Sequence, residues 1–355
     1  MKLQVPWTNL IPILAWVLFF SGLIEDYNFA RIAATVFLIF SVMAAVHHSE
    51  VIAHRVGEPY GTIILAVAIT IIEVSIIVSL MIAGGDEAAA LARDTVYSAT
   101  MLIMNGIVGL CLFIGGLKHH EQSFSKHSVI IALVSLISIV VFTLVVPTFT
   151  KSIAGPYYTT SQLIFVSIAC FAIYTCFLFA QTIRHREYFL AESTDEPGKK
   201  MDISNRQLMV SLLFLFISLG IVVLLAKTLS PTIEGIVLRH HLPKSLVGVI
   251  IAAIILLPEG TAAIRAAKRN KLQNSLNLAL GSALASIGLT IPVVAIVSYW
   301  FGMNIILGLD IISIILLGLS VFTVMLSLSS GRSNIVYGVV LLVNLMAFIY
   351  LIIYP

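Results

Sequence analysis

The stretch AITIIEVSIIV, residues 68–78, decides how the chain folds, because a single carboxylate, Glu73, stands in it among ten uncharged residues. The apolar run continues on both sides, over residues 62–83, and Glu73 is its only ionisable group. A run of that length spans the ~30 Å hydrocarbon core of a bilayer as a helix. An acidic residue at its centre costs roughly 2.5–3.5 kcal/mol on insertion, so it reads as a functional group before it reads as packing.

The rest of the chain supports the membrane reading. Of 355 residues, 59% are hydrophobic and only 10% charged, and the mean hydropathy is +1.07. Soluble domains carry about 25% charged residues. The net charge of +3 comes from basic residues scattered between apolar runs, which does not describe a nucleic-acid surface. Cys111, Cys170 and Cys176 lie inside apolar runs and read as small buried side chains, neither a disulfide framework nor a thiolate metal site. The start, MKLQVPWTNL, lacks a small-residue cleavage site and reads as the approach to an uncleaved first span.

Runs long enough to cross number about eleven. Their expected limits are 9–24, 30–46, 60–83, 95–117, 128–147, 161–183, 207–227, 245–264, 275–300, 305–328 and 334–353. With the N-terminus in the cytoplasm and the C-terminus outside, fourteen of the twenty Lys and Arg residues fall on the inner side and six on the outer. The longest polar interruption, residues 184–206, mixes both charges with a Pro-Gly pair and reads as a cytoplasmic linker. It divides the chain into a first span with its external loop (1–29), a five-span set (30–183) and a second five-span set (207–355). Five is odd, so the second set must traverse the membrane in the opposite sense. Two such sets make an inverted repeat, a common construction for alternating-access transporters. The expected fold is therefore an all-α polytopic membrane protein with one extra N-terminal span and two inverted five-helix repeats.

A repeat predicts a counterpart to Glu73. The second span of the second set, VGVIIAAIILLPEGTAAI at 247–264, carries Glu259 as its only ionisable residue, directly after Pro258. Glu73 is 13 residues past Tyr60 and Glu259 14 past Ser245, so each lies about 20 Å along its helix from opposite faces. Small or helix-breaking residues flank both, in GEPYG (57–61), at Gly248, in the Pro258-Glu259-Gly260 triplet and in GSALASIG (281–288). These are expected to permit close helix approach or a locally unwound turn. Freed carbonyls, the hydroxyls of Thr70, Ser282 and Ser286 and the amide of Asn105 would supply hard oxygen ligands for calcium or sodium. Glu58 stands at the cytoplasmic start of the third span, where it reads either as a relay or gate or as a carboxylate favoured by the helix dipole.

Two carboxylates at one depth define a mechanism. Desolvation and mutual repulsion favour protonated carboxyls in the empty site, and a bound cation favours ionised ones, so cation and protons compete. No Gly-x-x-x-x-Gly-Lys-Ser/Thr loop occurs, so the energy source is a gradient. A channel would use the same residues without proton coupling, a scaffold would tolerate their replacement, and an intramembrane hydrolase would need a mid-span histidine or metal partner. The antiporter reading leads, and the chain is not expected to be an enzyme. The histidine pairs 47–48, 119–120 and 240–241, with His54 and His127, sit at the expected span ends and read as surface groups, ahead of pH sensing and metal binding. GGDEAAALARD, residues 84–94, reads as a solvated external loop, and RAAKRNK, residues 265–271, as a cytoplasmic anchor on anionic lipid.

Three stretches carry a family resemblance. HRVGEPYGTIILAVAITIIEVSIIV (54–78), RDTVYSATMLIMNGIVGLCLFIGG (93–116) and LLPEGTAAIRAAKRNKLQNSLNLALGSALASIGLTIPVVA (256–295) resemble the two alpha-repeats of the calcium/cation antiporter superfamily. The match is to its cation/proton exchanger branch, and within that to the ChaA-type bacterial calcium (sodium, potassium)/proton antiporters. That resemblance implies that Glu73 and Glu259 are the pair that binds the cation and exchanges it for protons. It also implies calcium export, with sodium or potassium as further substrates, no resident cofactor, and residence in the bacterial inner membrane. A homo-oligomer stays open. Many members carry Gly-Asn-x-x-Glu at both glutamates. Here Ile69-Thr70-Ile71-Ile72 and Ile255-Leu256-Leu257-Pro258 stand there instead, so the resemblance does not supply asparagine amides beside the carboxylates.

Overall fold

The computed structural model describes residues 6–57, 60–153, 155–189, 203–240 and 242–354. Among these the regular secondary structure is all helix, and the one β contact is an isolated bridge between Ser123 and Arg332. The main helices are α1 (Trp7–Phe20), α2 (Asn28–Val56), α3 (Tyr60–Gly84), α4 (Leu91–His119), α5 (Lys126–Phe149), α6 (Thr160–Arg184), α7 (Asn205–Arg239), α8 (Ser245–Lys268), α9 (Leu272–Phe301), α10 (Ile311–Leu328) and α11 (Ile335–Ile353). Ten of them, α2 to α11, are long and apolar enough to cross a membrane. Lipid offers backbone groups no hydrogen bonds, so uninterrupted apolar runs satisfy themselves as helices.

The helix ends follow local chemistry. Thr159 and Gln162 form a reciprocal capping box at the start of α6, and Asn334 Oδ1 accepts the Val336 N–H at the start of α11. Gly22 (φ +71°) and Gly57 (φ +78°) take left-handed conformations that close α1 and α2.

Besides α2, which runs past residue 46 to Val56, three expected spans differ. The first, at 9–24, is realised as a 14-residue helix, about 21 Å long, because Gly22 turns the chain into the short helix Leu23–Asp26. Residues expected outside the membrane at 228–239 continue α7 to Arg239 through Pro231. The tenth span begins at Ile311 rather than 305, because residues 306–309 bond outward to other segments. Ile306 N–H meets the Ala89 carbonyl at 3.0 Å, Leu307 and Gly308 N–H both meet Pro156 at 3.2 Å, and Leu309 N–H meets Leu144 at 3.0 Å. A Cβ on Gly308 would lie 2.7 Å from that of Pro156, so the close approach requires glycine there.

Asp310 then caps α10, its Oδ2 accepting the Ser313 N–H at 3.1 Å. Burial pushes the Asp310 carboxyl up, but the hydrogen bonds from Ser313 and from its own and Ile312's backbone outweigh it and hold it below the usual carboxylate range. Asp310→Ala is expected to cost about 1 kcal/mol and to lower the thermal midpoint. The cap's contribution is full above the unfolded carboxylate value and lost as pH falls through the lower folded one. A melting series from neutral to strongly acid pH should therefore show the two proteins converging only in acid.

Two compact units emerge from the packing. The first joins residues 1–83 to 194–241, with α7 lying along α2 and α1 packed on both. The second joins residues 84–193 to 242–355, where α4 packs on α8 and α11, and α9 on α5, α6 and α8. Within it the connections at one end are tied together by buried amides. Gln122 Nε2 donates to Ala267 O and Asn270 Oδ1, and Gln273 Nε2 donates to Ser128 and Asn277.

Candidate functional site

In the first unit, Glu73 stands midway along α3 and is 4% exposed. Thr70, one turn earlier, is buried and donates its hydroxyl to the Ala66 carbonyl at 2.9 Å, leaving its lone pairs as acceptors. Glu58 lies outside the described residues.

In the second unit, Glu259 stands on α8 and is 3% exposed. Ser282 of α9 donates to its Oε1 at 3.4 Å, and Ser286, one turn on, is buried on the same helix. The expected unwound turn is absent here: α8 runs unbroken through Pro258. Proline removes one N–H, which leaves the Ile254 carbonyl without its helical donor one turn before the carboxylate. Gly281 has nothing near the place of a Cβ, whereas Gly288 lies against Tyr174 and Gly248 against the Asp94 backbone, so close approach is confined to the latter two.

Departures from α-helix fall instead in α4, α5 and α6, and the one in α4, a π-helical turn at Leu102–Ile107, contains Asn105. Gly260, next to Glu259, faces Ile107 of that turn, with room for a Cβ 3.4 Å from its Cδ1. Asn105 is fully buried and donates Nδ2 to Ser320 Oγ of α10 at 2.8 Å. Ser320 gives its own proton to the Leu316 carbonyl at 2.8 Å, so it can only accept from Asn105, which fixes the amide orientation. Asn105 Oδ1 is left buried without a hydrogen-bond partner among the described residues. It is an oxygen acceptor of the kind that hard cations take. Ser320 escaped sequence reasoning, since one serine in an apolar run carries no signal until its partner, 215 residues away, is known.

Other expectations need correction. His48 is not a surface group: α2 runs ten residues past its expected end, and His48 is buried at 3% exposure against Phe214. Asp94, read as part of a solvated loop, lies in α4, half-buried and paired with Arg93 at 2.8 Å. Arg93 also donates to the Gly308 carbonyl at 3.1 Å, which explains the pairing: the guanidinium is held on both sides. Cys176 is exposed on α6 rather than buried.

Buried carboxylates, hydroxyls and an amide on the membrane-length helices of a polytopic chain fit a cation transporter, and the relatives of this chain make it a cation antiporter. It belongs to the sodium/calcium exchanger protein family, whose model matches residues 29–183 and again residues 210–354. An ionic transporter of Sinorhizobium fredii, y4hA, is 40% identical over 341 residues, 93% of each chain. The sodium-potassium/proton antiporter ChaA of Escherichia coli is 32% identical over 340 residues, covering 93% of this chain and 92% of that one. The solved structure of native YfkE shares the fold, with a TM-score of 0.74 at 19% identity over 98% of this chain and 100% of that one.

Proposed function

We propose that the chain exports calcium, and also sodium or potassium, in exchange for protons by alternating access, with Glu73 and Glu259 holding cation and protons in turn. The carrying observation is the pair itself: two carboxylates, 4% and 3% exposed, each the lone ionisable group at matched places in two five-span sets. The double match of the family model supports the division into repeats. Asn105, Ser282, Ser286 and Thr70 are proposed as the oxygen shell. The odd span number of each set supports inverted orientation, and the charge distribution supports an N-terminus inside and a C-terminus outside, which requires the shorter helix α1 to cross as an eleventh span. The bacterial relatives support residence in the inner membrane.

A second reading, monovalent cation/proton exchange with little calcium transport, is favoured by the name of the Escherichia coli relative and by the lack of a Gly-Asn pair in the turn before either glutamate. Calcium, sodium and potassium added to inverted, acid-loaded vesicles with a luminal pH probe separate the two. Alkalinisation of the lumen is expected with calcium at the lowest concentration. Responses to sodium and potassium alone would select the second reading, and silence with all three would end both.

A further inference from the structure

The seam between α1, α2 and α7 in the first unit is apolar by composition, yet it buries four polar atoms without hydrogen-bond partners among the described residues. They are Thr8 Oγ1, Ser41 Oγ, His48 Nδ1 and Ser218 Oγ, all on residues no more than 3% exposed. Buried polar groups are seldom left unsatisfied, and ordered water is the usual remedy where several converge.

Two contacts order these atoms along the seam. Arg55, near the end of α2, donates to Asn205 Oδ1 at the start of α7 at 3.0 Å, and the His48 ring stacks on Phe214 with centroids 5.6 Å apart. Numbers fall on α2 as they rise on α7, so the helices are antiparallel. Continuing in that direction, Ser218 lies one turn past Phe214 and Ser41 two turns past His48, each on the face already turned inward. Ser218 therefore falls between His48 and Ser41 on a line about 10 Å long. The side chains on this stretch of α2 include Ala44 and Ala45, both small and fully buried. At the other end the Thr8 carbonyl lies 3.4 Å from His48 Nε2. With Nε2–H directed at that carbonyl, the lone pair of the neutral ring is on Nδ1, where the protein offers no donor.

We propose that this seam holds a short file of ordered water and that His48 is a proton-binding site fed by it, separate from the two carboxylates. Among the described residues no acid opposes a charge there. Helix α1 carries no ionisable residue, and on α7 the nearest are Arg206, eight residues before Phe214, and Lys227, thirteen after. On α2 itself the neighbours are His47, its ring 5.5 Å away, Glu50 on the next flank, His54 and Arg55. Glu25 and Asp26 belong to the far end of α2, beside Arg31, and α3 carries Glu73 alone. A proton on His48 therefore puts an uncompensated charge in the seam, draws in water and separates α1 from its partners. The packed seam is the neutral state, and since α2 immediately precedes the helix of Glu73 in the sequence, acidification at His48 slows exchange.

Exchange rates of reconstituted protein at saturating cation, measured from about pH 6 to 8.5, test this. The wild-type rate should fall toward acid, and in His48→Gln the ratio of alkaline to acid rates should shrink about threefold or more. Ser218→Val, which fills the file without touching the ring, should flatten the profile in the same way. An unchanged profile in either variant overturns the proposal. Radiolytic footprinting of the wild-type protein reads the water itself, without a variant and without transport, so it separates failure here from failure of the antiporter reading. Rapid labelling of the segment around His48 is expected, and protection equal to that of the neighbouring buried segments overturns the water file.

Discussion

Glu259→Gln is expected to abolish cation-driven proton movement while leaving the protein folded. The substitution keeps size and shape, and the Ser282 hydroxyl can still donate to the amide oxygen as it does to Oε1 at 3.4 Å. What disappears is the ionised form. In the proposed two-carboxylate site, removing one buried charge costs roughly 3 kcal/mol, so cation affinity should drop by more than about 100-fold. Glu73→Gln should fail as completely, because on the repeat reading the two carboxylates are equivalent contributors to one site. Parallel vesicle assays and thermal melts check both. Transport that survives in either variant with an unchanged melt would make that carboxylate structural.

The second large effect concerns packing rather than chemistry. Gly338 of α11 lies so close to α4 that a Cβ would collide with the Phe113 backbone nitrogen, would stand 2.7 Å from the Phe113 Cα and would be 2.9 Å from the Gly109 carbonyl. These are backbone atoms of a spanning helix, which cannot rotate aside as a side chain does. Gly109 answers from the other surface, with its own Cβ position 3.1 Å from Leu341 Cβ. Gly338→Leu should therefore cost about 3 kcal/mol or more, read as loss of monodisperse protein or a sharply lowered melting temperature. Gly318→Ala is the control, since nothing lies within 4 Å of its Cβ position. There the substitution should leave stability unchanged or raise it by about 0.5–1 kcal/mol.

Both predictions rest on residues that sequence exposes to very different degrees. Glu73 and Glu259 stand out in the sequence because one charge in some twenty apolar residues is improbable without a use, and the structure adds that both are buried. Helices α3 and α8 were legible for the same reason that apolar runs must satisfy their own backbones. Gly338 was not: a glycine in an apolar span looks the same whether it faces lipid, as space around Gly318 allows, or a neighbouring backbone. Helix ends failed where long-range bonds decided them. Residues 306–309 leave the helix because Ala89, Leu144 and Pro156 offer acceptors more than a hundred residues away in sequence. His48 was misread because hydropathy falls before α2 ends, and polar residues at an expected edge look exposed until Phe214 and Thr8 cover them.

The π-helical turn at Leu102–Ile107 leaves a consequence for motion. Such a turn houses one residue more than α-helical winding needs, and that surplus can be handed along the helix without breaking the chain or unfolding a span. Moving it past Asn105 would turn the amide through about 100° and shift it by about 1.5 Å, carrying its oxygen off one bearing and onto another. In the arrangement seen, the surplus residue sits at Leu102–Ile107 and the Ser320 bond is what a shift of the amide would have to break.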